Sequence, residues 1–434
     1  MAAVGQSWGR YPAATQSVVA ITDRHVRLPA ADGTMLPHGN GRSYGDSCLN
    51  DGGTLLHARA LDRYIRFDSS TGLLECEAGV LFSEILELVV PQGWFLPVTP
   101  GTKFITIGGA IANDVHGKNH HKAGTFGCHV LAFELLRSDG SRRLCTPIDH
   151  PEWFAATIGG LGLTGLVTWA RIQLRRIAGP WMSTEVHRFK DLASFFRLSE
   201  ASDRDYEYTV AWIDCAAKGR ALGRGLFTRA NHAPAHPDHR PAASVRRIGV
   251  PLVPPVSLIN PLSLLAFNTL YYHRQRQPVV YQTTHYEPHF YPLDGIRDWN
   301  RIYGPRGFLQ YQCVVPPAVA EDCIEQLARM ISASRGGSFL AVLKQFGEVR
   351  SPGLLSFPRP GTTLALDFPN HGVTTLRLLD RLDEVVAKAG GAVYPAKDAR
   401  MSGPLFRTYF PAWESFRPFI DPRFSSSFWR RVME

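Results

Sequence analysis

The stretch Thr106-Ile107-Gly108-Gly109-Ala110-Ile111-Ala112-Asn113-Asp114-Val115-His116-Gly117 constrains this chain more than any other. Gly108, Gly109, Ala110 and Ala112 leave one face of the backbone nearly bare. Something must approach that face closely: a flat ring or a pyrophosphate on one reading, tight helix–sheet packing on the other. A second glycine-rich segment precedes it, Pro37-His38-Gly39-Asn40-Gly41-Arg42-Ser43-Tyr44-Gly45-Asp46. Glycines at alternate positions let successive N–H groups converge on one concavity, a nest for phosphate oxygens. Taken alone, such a loop is also compatible with a plain surface turn. A third segment, Gly160-Leu161-Gly162-Leu163-Thr164-Gly165, matches the dinucleotide expression G-x-G-x-x-G. That fingerprint needs a strand before it and a helix after it. Here Trp153 to Ala156 reads as a helix end and Leu166 onward as a strand, so the order is reversed and the NAD reading fails.

A chain of 434 residues exceeds what one core usually organises, so two domains are expected. Phe82, Ile85, Leu86 and Val89 have helical spacing, as do Leu376, Leu379, Leu382, Val386 and Ala389 before the stop at Gly390-Gly391. Leu166 to Leu174 reads as a strand, and so does the alternation of Tyr206, Tyr208, Val210 and Trp212. The seven cysteines are scattered without a C-x-x-C pair, which suggests reduced thiols rather than a zinc site or disulfide framework. The N-terminus lacks a charged segment followed by an apolar core, and no apolar run is long enough to span a bilayer. The expected location is cytoplasmic, or peripheral at the inner membrane.

The net charge of +9 implies an anionic partner. No zinc-finger spacing, RNP-like signature or basic-region helix accompanies it, so nucleic acid is not expected. Between about 216 and 278 the composition shifts to a basic and apolar loop region. Arg220, Arg224, Arg229, Arg240, Arg246 and Arg247 precede a proline-broken apolar run from Val250 to Tyr272. That pattern suits either an anionic membrane surface or a solvated loop with some packing residues.

Taken in order, these segments resemble the vanillyl-alcohol oxidase family of FAD enzymes, and within it the polyprenylphosphoryl-ribose 2′-oxidases. The resemblance rests on Gly41 to Asp46, on Gly108 to Ala112, and on the unusual string Asp114-Val115-His116-Gly117-Lys118-Asn119-His120-His121. It continues through Gly162 to Gly165, Gly307-Phe308-Leu309-Gln310-Tyr311-Gln312 and Ala396-Lys397-Asp398-Ala399-Arg400. It implies an α+β, two-domain PCMH-type FAD-binding fold with an inserted antiparallel-sheet substrate domain. Residues 1–180 with a returning segment 391–434 form the FAD domain in this scheme, and 181–390 the substrate domain. The implied FAD contacts are His38, Gly39, Asn40, Gly41, Arg42, Ser43, Tyr44 and Gly45 in the first loop. Gly101, Thr106, Gly108, Gly109, Asn113, His116, Val167 and Tyr394 complete them. Some family members bond the flavin through a histidine in the first loop; Arg42 stands at about that slot, which implies non-covalent FAD.

The implied reaction oxidises the ribose 2′-hydroxyl of a polyprenyl-phosphate sugar, with a separate NADH-dependent reductase completing epimerisation to arabinose. Such oxidation needs a hydride acceptor and a route for the hydroxyl proton. Lys397 and His116 match the family's catalytic positions. From the residues alone, Lys397 reads as a surface lysine, the usual fate of that residue, and His116 is also compatible with a structural histidine tied to backbone. Gln310 and Gln312, two apart on a strand, share a face opposite Leu309, Tyr311, Cys313 and Val315. They match the substrate pocket, as do Lys344 and Thr363. Thr363 and Ala365 replace an Asn and a Cys of mycobacterial relatives, which leaves substrate identity less fixed. His116, His120, His121 and His129 lack carboxylate or cysteine partners at ligand spacing, so no metal is expected. Two rivals remain: an alditol or aldonolactone oxidase acting on a soluble sugar, and a non-catalytic anion- or nucleic-acid-binding protein.

Overall fold

The computed structural model describes residues 4–235 and 248–434. Three larger sheets carry the fold. A parallel sheet joins Ser17–Ala20, Thr54–His57 and Met35–His38, in that spatial order. An antiparallel sheet of five strands runs Tyr64–Asp68, Leu73–Glu77, Leu166–Gln173, Val130–Leu136, Arg142–Cys145. The largest sheet has eight antiparallel strands. Its order is Val279–His285, Trp181–Phe189, Gly225–His232, Tyr208–Ile213, Ala341–Phe346, Gly361–Pro369, Phe308–Val315, Ala392–Val393. Helices and largely antiparallel sheets thus mix as the α+β class requires.

Alternation decides which face of the large sheet is covered. Leu309, Tyr311, Cys313 and Val315 are buried with Leu378, Leu379, Leu382 and Val386 of the helix Val373–Lys388. The helix Ala320–Ser334 joins the same core through Ile324, Leu327 and Ile331. Gln310 and Gln312 therefore face the other way, toward an open space. The helix Val373–Lys388 ends as its spacing predicts, with Gly390 at φ +68°. Phe82, Ile85, Leu86 and Val89 are all buried on the helix Phe82–Val89. The strand expected from Tyr206 begins two residues later, at Tyr208, because Tyr206 N–H still bonds Ser202 O at the end of the preceding helix and Glu207 N–H goes to the Asn231 side chain.

The C-terminal tail lies back on the N-terminal part. Met35 donates its N–H to Arg423 O and accepts from Ser425 N. Arg431 pairs with Asp46 at 2.7 Å and Asp398 at 3.0 Å. Around the third glycine-rich segment the order is the helix Pro151–Thr157, a turn, then the strand Leu166–Gln173. Its N–H groups from Gly159 and Leu161 bond the carbonyls of Ile111 and Ala112, so this turn props the small-residue helix from behind.

The loop expected at about 216–278 is largely structured in its described part. It contains the strand Gly225–His232 and the helix Pro261–His273, whose start is capped by Asn260. Arg224 is ion-paired with Asp214 and Arg229 with Glu185, so neither is a free surface charge. Arg240, Arg246 and Arg247 lie outside the described residues.

Candidate active site

One cavity of about 590 Å³ opens between the glycine-rich segments and the uncovered face of the eight-stranded sheet. Its first wall is mostly backbone. The strand Met35–His38 delivers the chain into the loop, where Gly41 takes a left-handed φ of +60°. Asn40 ties the loop to Phe104 O at 2.7 Å, and His38 Nδ1 is held 3.0 Å from Cys48 O. A Cβ on Gly39 would stand 2.4 Å from Thr106 Oγ1, so only glycine lets the two segments close. Thr106 caps the helix Ile107–Ala112 by accepting from Gly109 N at 3.1 Å. Ser43, Gly101, Gly108, Asn113 and Val167 complete this wall.

The second wall is made of side chains. Gln310 donates to Asp367 Oδ1 at 2.7 Å, and Tyr303 donates to Oδ2 at 3.2 Å. Gln312 Nε2 lies 2.9 Å from His116 Nε2. With the amide donating, the His116 proton sits on Nδ1, a buried atom without a partner. The His116 ring packs against Phe346 and Tyr394, and Tyr394 donates to Asn113 O at 2.7 Å. Lys397 Nζ stands 3.8 Å above the Tyr44 ring, so the first loop and the C-terminal segment meet at one lysine.

Burial sets the electrostatics. It brings the Lys397 ammonium down to about 7, with Asp367 resisting and Lys344 assisting. Burial raises the Asp367 carboxyl to about 6, against its bonds from Gln310 and Tyr303 and the nearby Lys397. Lys344 falls to about 8 for the same reason. His116 is pushed far below its ordinary value by burial, then by Lys344, His120 and Lys397, which keeps the imidazole neutral. A neutral lysine, a neutral histidine and two amides can together hold a hydroxyl and take its proton.

Two expected positions fall outside the cavity wall. Gly45 packs behind its loop, where a Cβ would meet Asp398 O at 1.6 Å. Thr363 is buried beneath Gln312, accepting its amide proton at 3.2 Å. The four histidines do not converge: His120 accepts from Gly347 N, His121 lies against Tyr206 O and His129 against Ala123 O. Asp367 was not foreseen, although it shares strand parity with Thr363. Its pairing with Gln310 becomes visible only once the register Gln310↔Asp367 is known. Lys118 and His289 also line the cavity unforeseen.

The cavity fits a flavin dinucleotide on three counts. Its volume lies within the usual range for such ligands. Its glycine wall leaves backbone exposed, with nothing within 4 Å of where a Gly101 Cβ would stand. Buried His116 Nδ1 and Arg42 Nε lack partners inside the protein, and the Arg42 guanidinium is held 4.1 Å over Trp8.

A family model described as an FAD binding domain matches residues 14–146, which carry both segments of the glycine wall. The chain is 35% identical over 98% of its length to decaprenylphosphoryl-β-D-ribose oxidase of Mycolicibacterium smegmatis, covering 96% of that protein. It is 36% identical to an uncharacterized protein of Streptomyces coelicolor, over 81% of this chain and all of the other. Cytokinin dehydrogenase 8 of rice shares 28% identity over 34% of this chain and 30% of its own.

Proposed function

The chain belongs to the FAD-binding family of decaprenylphosphoryl-β-D-ribose oxidase, and on that premise we propose that it oxidises the 2′-hydroxyl of a polyprenylphosphoryl-β-D-ribose to the ketone. The observation that carries this reading is the pairing of a lowered lysine with a hydroxyl-binding set in one cavity: Lys397 beside Asp367, Gln310, Gln312 and His116. FAD, when bound, supplies the two-electron acceptor for the hydride that leaves the carbinol carbon. Residues His38 to Tyr44, Gly101, Thr106, Gly108, Gly109, Asn113, Val167 and Tyr394 would hold it, and Arg42 in place of a linking histidine favours a non-covalent site.

Neutral Lys397 accepts the hydroxyl proton. At its ordinary value of about 10.4, under a hundredth of such amines would be free near neutral pH. At about 7, roughly half are. Asp367 stabilises the ammonium that results, and Gln310 and Tyr303 hold that carboxylate in place. Gln310 and Gln312 direct amides at the sugar, Lys344 meets the charged end of the substrate, and Thr363 supports Gln312 from beneath. His116 offers its free Nδ1 proton to the cofactor.

The domain division follows the same reading, with 1–180 and 391–434 around the cofactor and 181–390 around the substrate. No helix among the described residues is long and apolar enough to cross a membrane. The helix Pro261–His273 nonetheless exposes Leu262, Leu265 and Leu270, and its far end brings Tyr271 and Arg274 to the cavity. Peripheral contact with an anionic membrane through this helix would let a lipid-linked sugar reach the site. Flotation with anionic liposomes tests it: protein left at the bottom argues against the contact. A 2-keto product would then need an NADH-dependent reductase to become the arabinose epimer.

The test of the reaction is anaerobic titration of FAD-loaded protein with a short-chain polyprenylphosphoryl-β-D-ribose. Stoichiometric bleaching of the visible band is expected. A yellow protein bleached by soluble alditols instead would overturn the substrate class.

A further inference from the structure

We propose that Lys118, Lys344 and His289 form an anion subsite that takes the phosphodiester of a substrate carrying an apolar chain. This rests on the sugar-phosphate reading above and assigns it a phosphate-binding residue, Lys118, beyond the reacting centre.

Four other cations in the molecule each meet a carboxylate: Lys103 with Glu287, Arg224 with Asp214, Arg400 with Asp383, Arg431 with Asp398. Lys118 and Lys344 do not. Lys118 Nζ donates to the carbonyl of His289, and Lys344 Nζ lies 3.4 Å from the carbonyl of Gly117. Among the described residues, no carboxylate stands within 4.0 Å of either. The bond to Gly117 brings Lys344 to the residue preceding Lys118, both side chains line the same cavity, and Lys344 is near enough to act on Lys118 electrostatically. Burial and the neighbouring Lys344 lower Lys118 to about 7, the mark of a cation without a counter-charge. Two like charges in a partly desolvated corner are unfavourable unless a ligand brings the anion.

His289 supplies a second, independent observation. It lines the cavity, is 8% exposed, and its Nε2 has no partner. Burial first, then Lys118 and His232, keep its ring neutral. A neutral imidazole with a free nitrogen beside the Lys118 ammonium suits a phosphate oxygen. What adjoins this corner identifies the rest of the ligand. Val186, Leu226, Val210 and Val342 come from four neighbouring strands and line the same cavity as an apolar floor. An anion joined to an apolar chain fits both; the phosphates of a dinucleotide would meet the glycine wall instead.

The probe is farnesyl phosphate, with farnesol as its uncharged counterpart, titrated into FAD-loaded protein and followed by flavin fluorescence. Wild-type protein is expected to bind the phosphate at least tenfold more tightly than the alcohol, as a charged hydrogen bond predicts. Lys118→Met should close that gap by about tenfold or more and Lys118→Arg should restore most of it. Lys118→Met should also raise the half-saturating concentration of farnesylphosphoryl-β-D-ribose more than it lowers the limiting bleaching rate. Equal binding of phosphate and alcohol by wild-type protein overturns the subsite without any variant. So does an unchanged gap in a flavin-loaded Lys118→Met protein. If the phosphate gap depends on Lys118 but the ribose substrate fails to bleach the flavin, the subsite stands and the sugar assignment falls.

Discussion

The glycine wall of the cavity meets a ligand with backbone, whereas the sheet wall meets it with side chains. Gly39, Gly41, Gly108 and Gly109 matter for the atoms they lack, and the space they clear is fixed by covalent geometry. Gln310, Gln312, Asp367 and Lys344 matter for atoms placed by sheet register, and each depends on a neighbour to aim it. The first kind of wall fits any member of a cofactor class that presents the same phosphates. The second distinguishes one substrate from another. Damage to each should therefore read out differently, as lost cofactor on one side and lost turnover on the other.

The largest separation is expected at Lys397. Lys397→Met should retain FAD yet slow anaerobic bleaching by about 10²–10⁴-fold, the usual worth of a positioned base. Loss of FAD with unchanged rate per bound flavin would reverse the roles of the walls. On the glycine side, Gly39→Val places a branched side chain where even Cβ is 2.4 Å from Thr106 Oγ1. Overpacking of about 1–3 kcal/mol should weaken FAD roughly tenfold to a hundredfold, measurable by fluorescence recovery on dilution. Undiminished affinity there would mean that the wall yields. Gln312→Leu leaves His116 Nε2 and the Thr363 hydroxyl without their shared partner. A loss of about 1–3 kcal/mol is expected in chemical denaturation, with the flavin kept.

The smallest effect is expected in the pH profile. The acidic limb of the bleaching rate should fall as pH drops through about 7, because Lys397 must be neutral to accept a proton. The negative charge of Asp367 holds that value up, so Asp367→Asn should move the limb to lower pH. The two groups titrate as a pair, and the profile reports the pair. A limb that moves upward would place the base elsewhere.

Legibility in the sequence followed the same division. A bare backbone needs runs of glycine and alanine, and a run is visible in one dimension; hence Gly108 to Ala112 pointed to the wall directly. The alternation of Gln310 and Gln312 also survived, since strand period alone decides their face. Asp367 did not, because its role depends on standing opposite Gln310 across a strand pair more than fifty residues away in sequence. Gly45 and Thr363 sit within the right motifs but one layer too deep, against Asp398 and under Gln312. Within the basic stretch, Arg224 and Arg229 find their carboxylates across turns and strands that composition does not reveal.

Locating the oxidised carbon decides between 2′-oxidation and any other reaction of the sugar. FAD-loaded protein is reacted anaerobically with a short-chain polyprenylphosphoryl-β-D-ribose, quenched with borodeuteride, and the released sugar is analysed by mass spectrometry. Deuterium at C2, in a mixture of ribose and arabinose, is the predicted result. Deuterium at any other carbon, or none despite a bleached flavin, would contradict it.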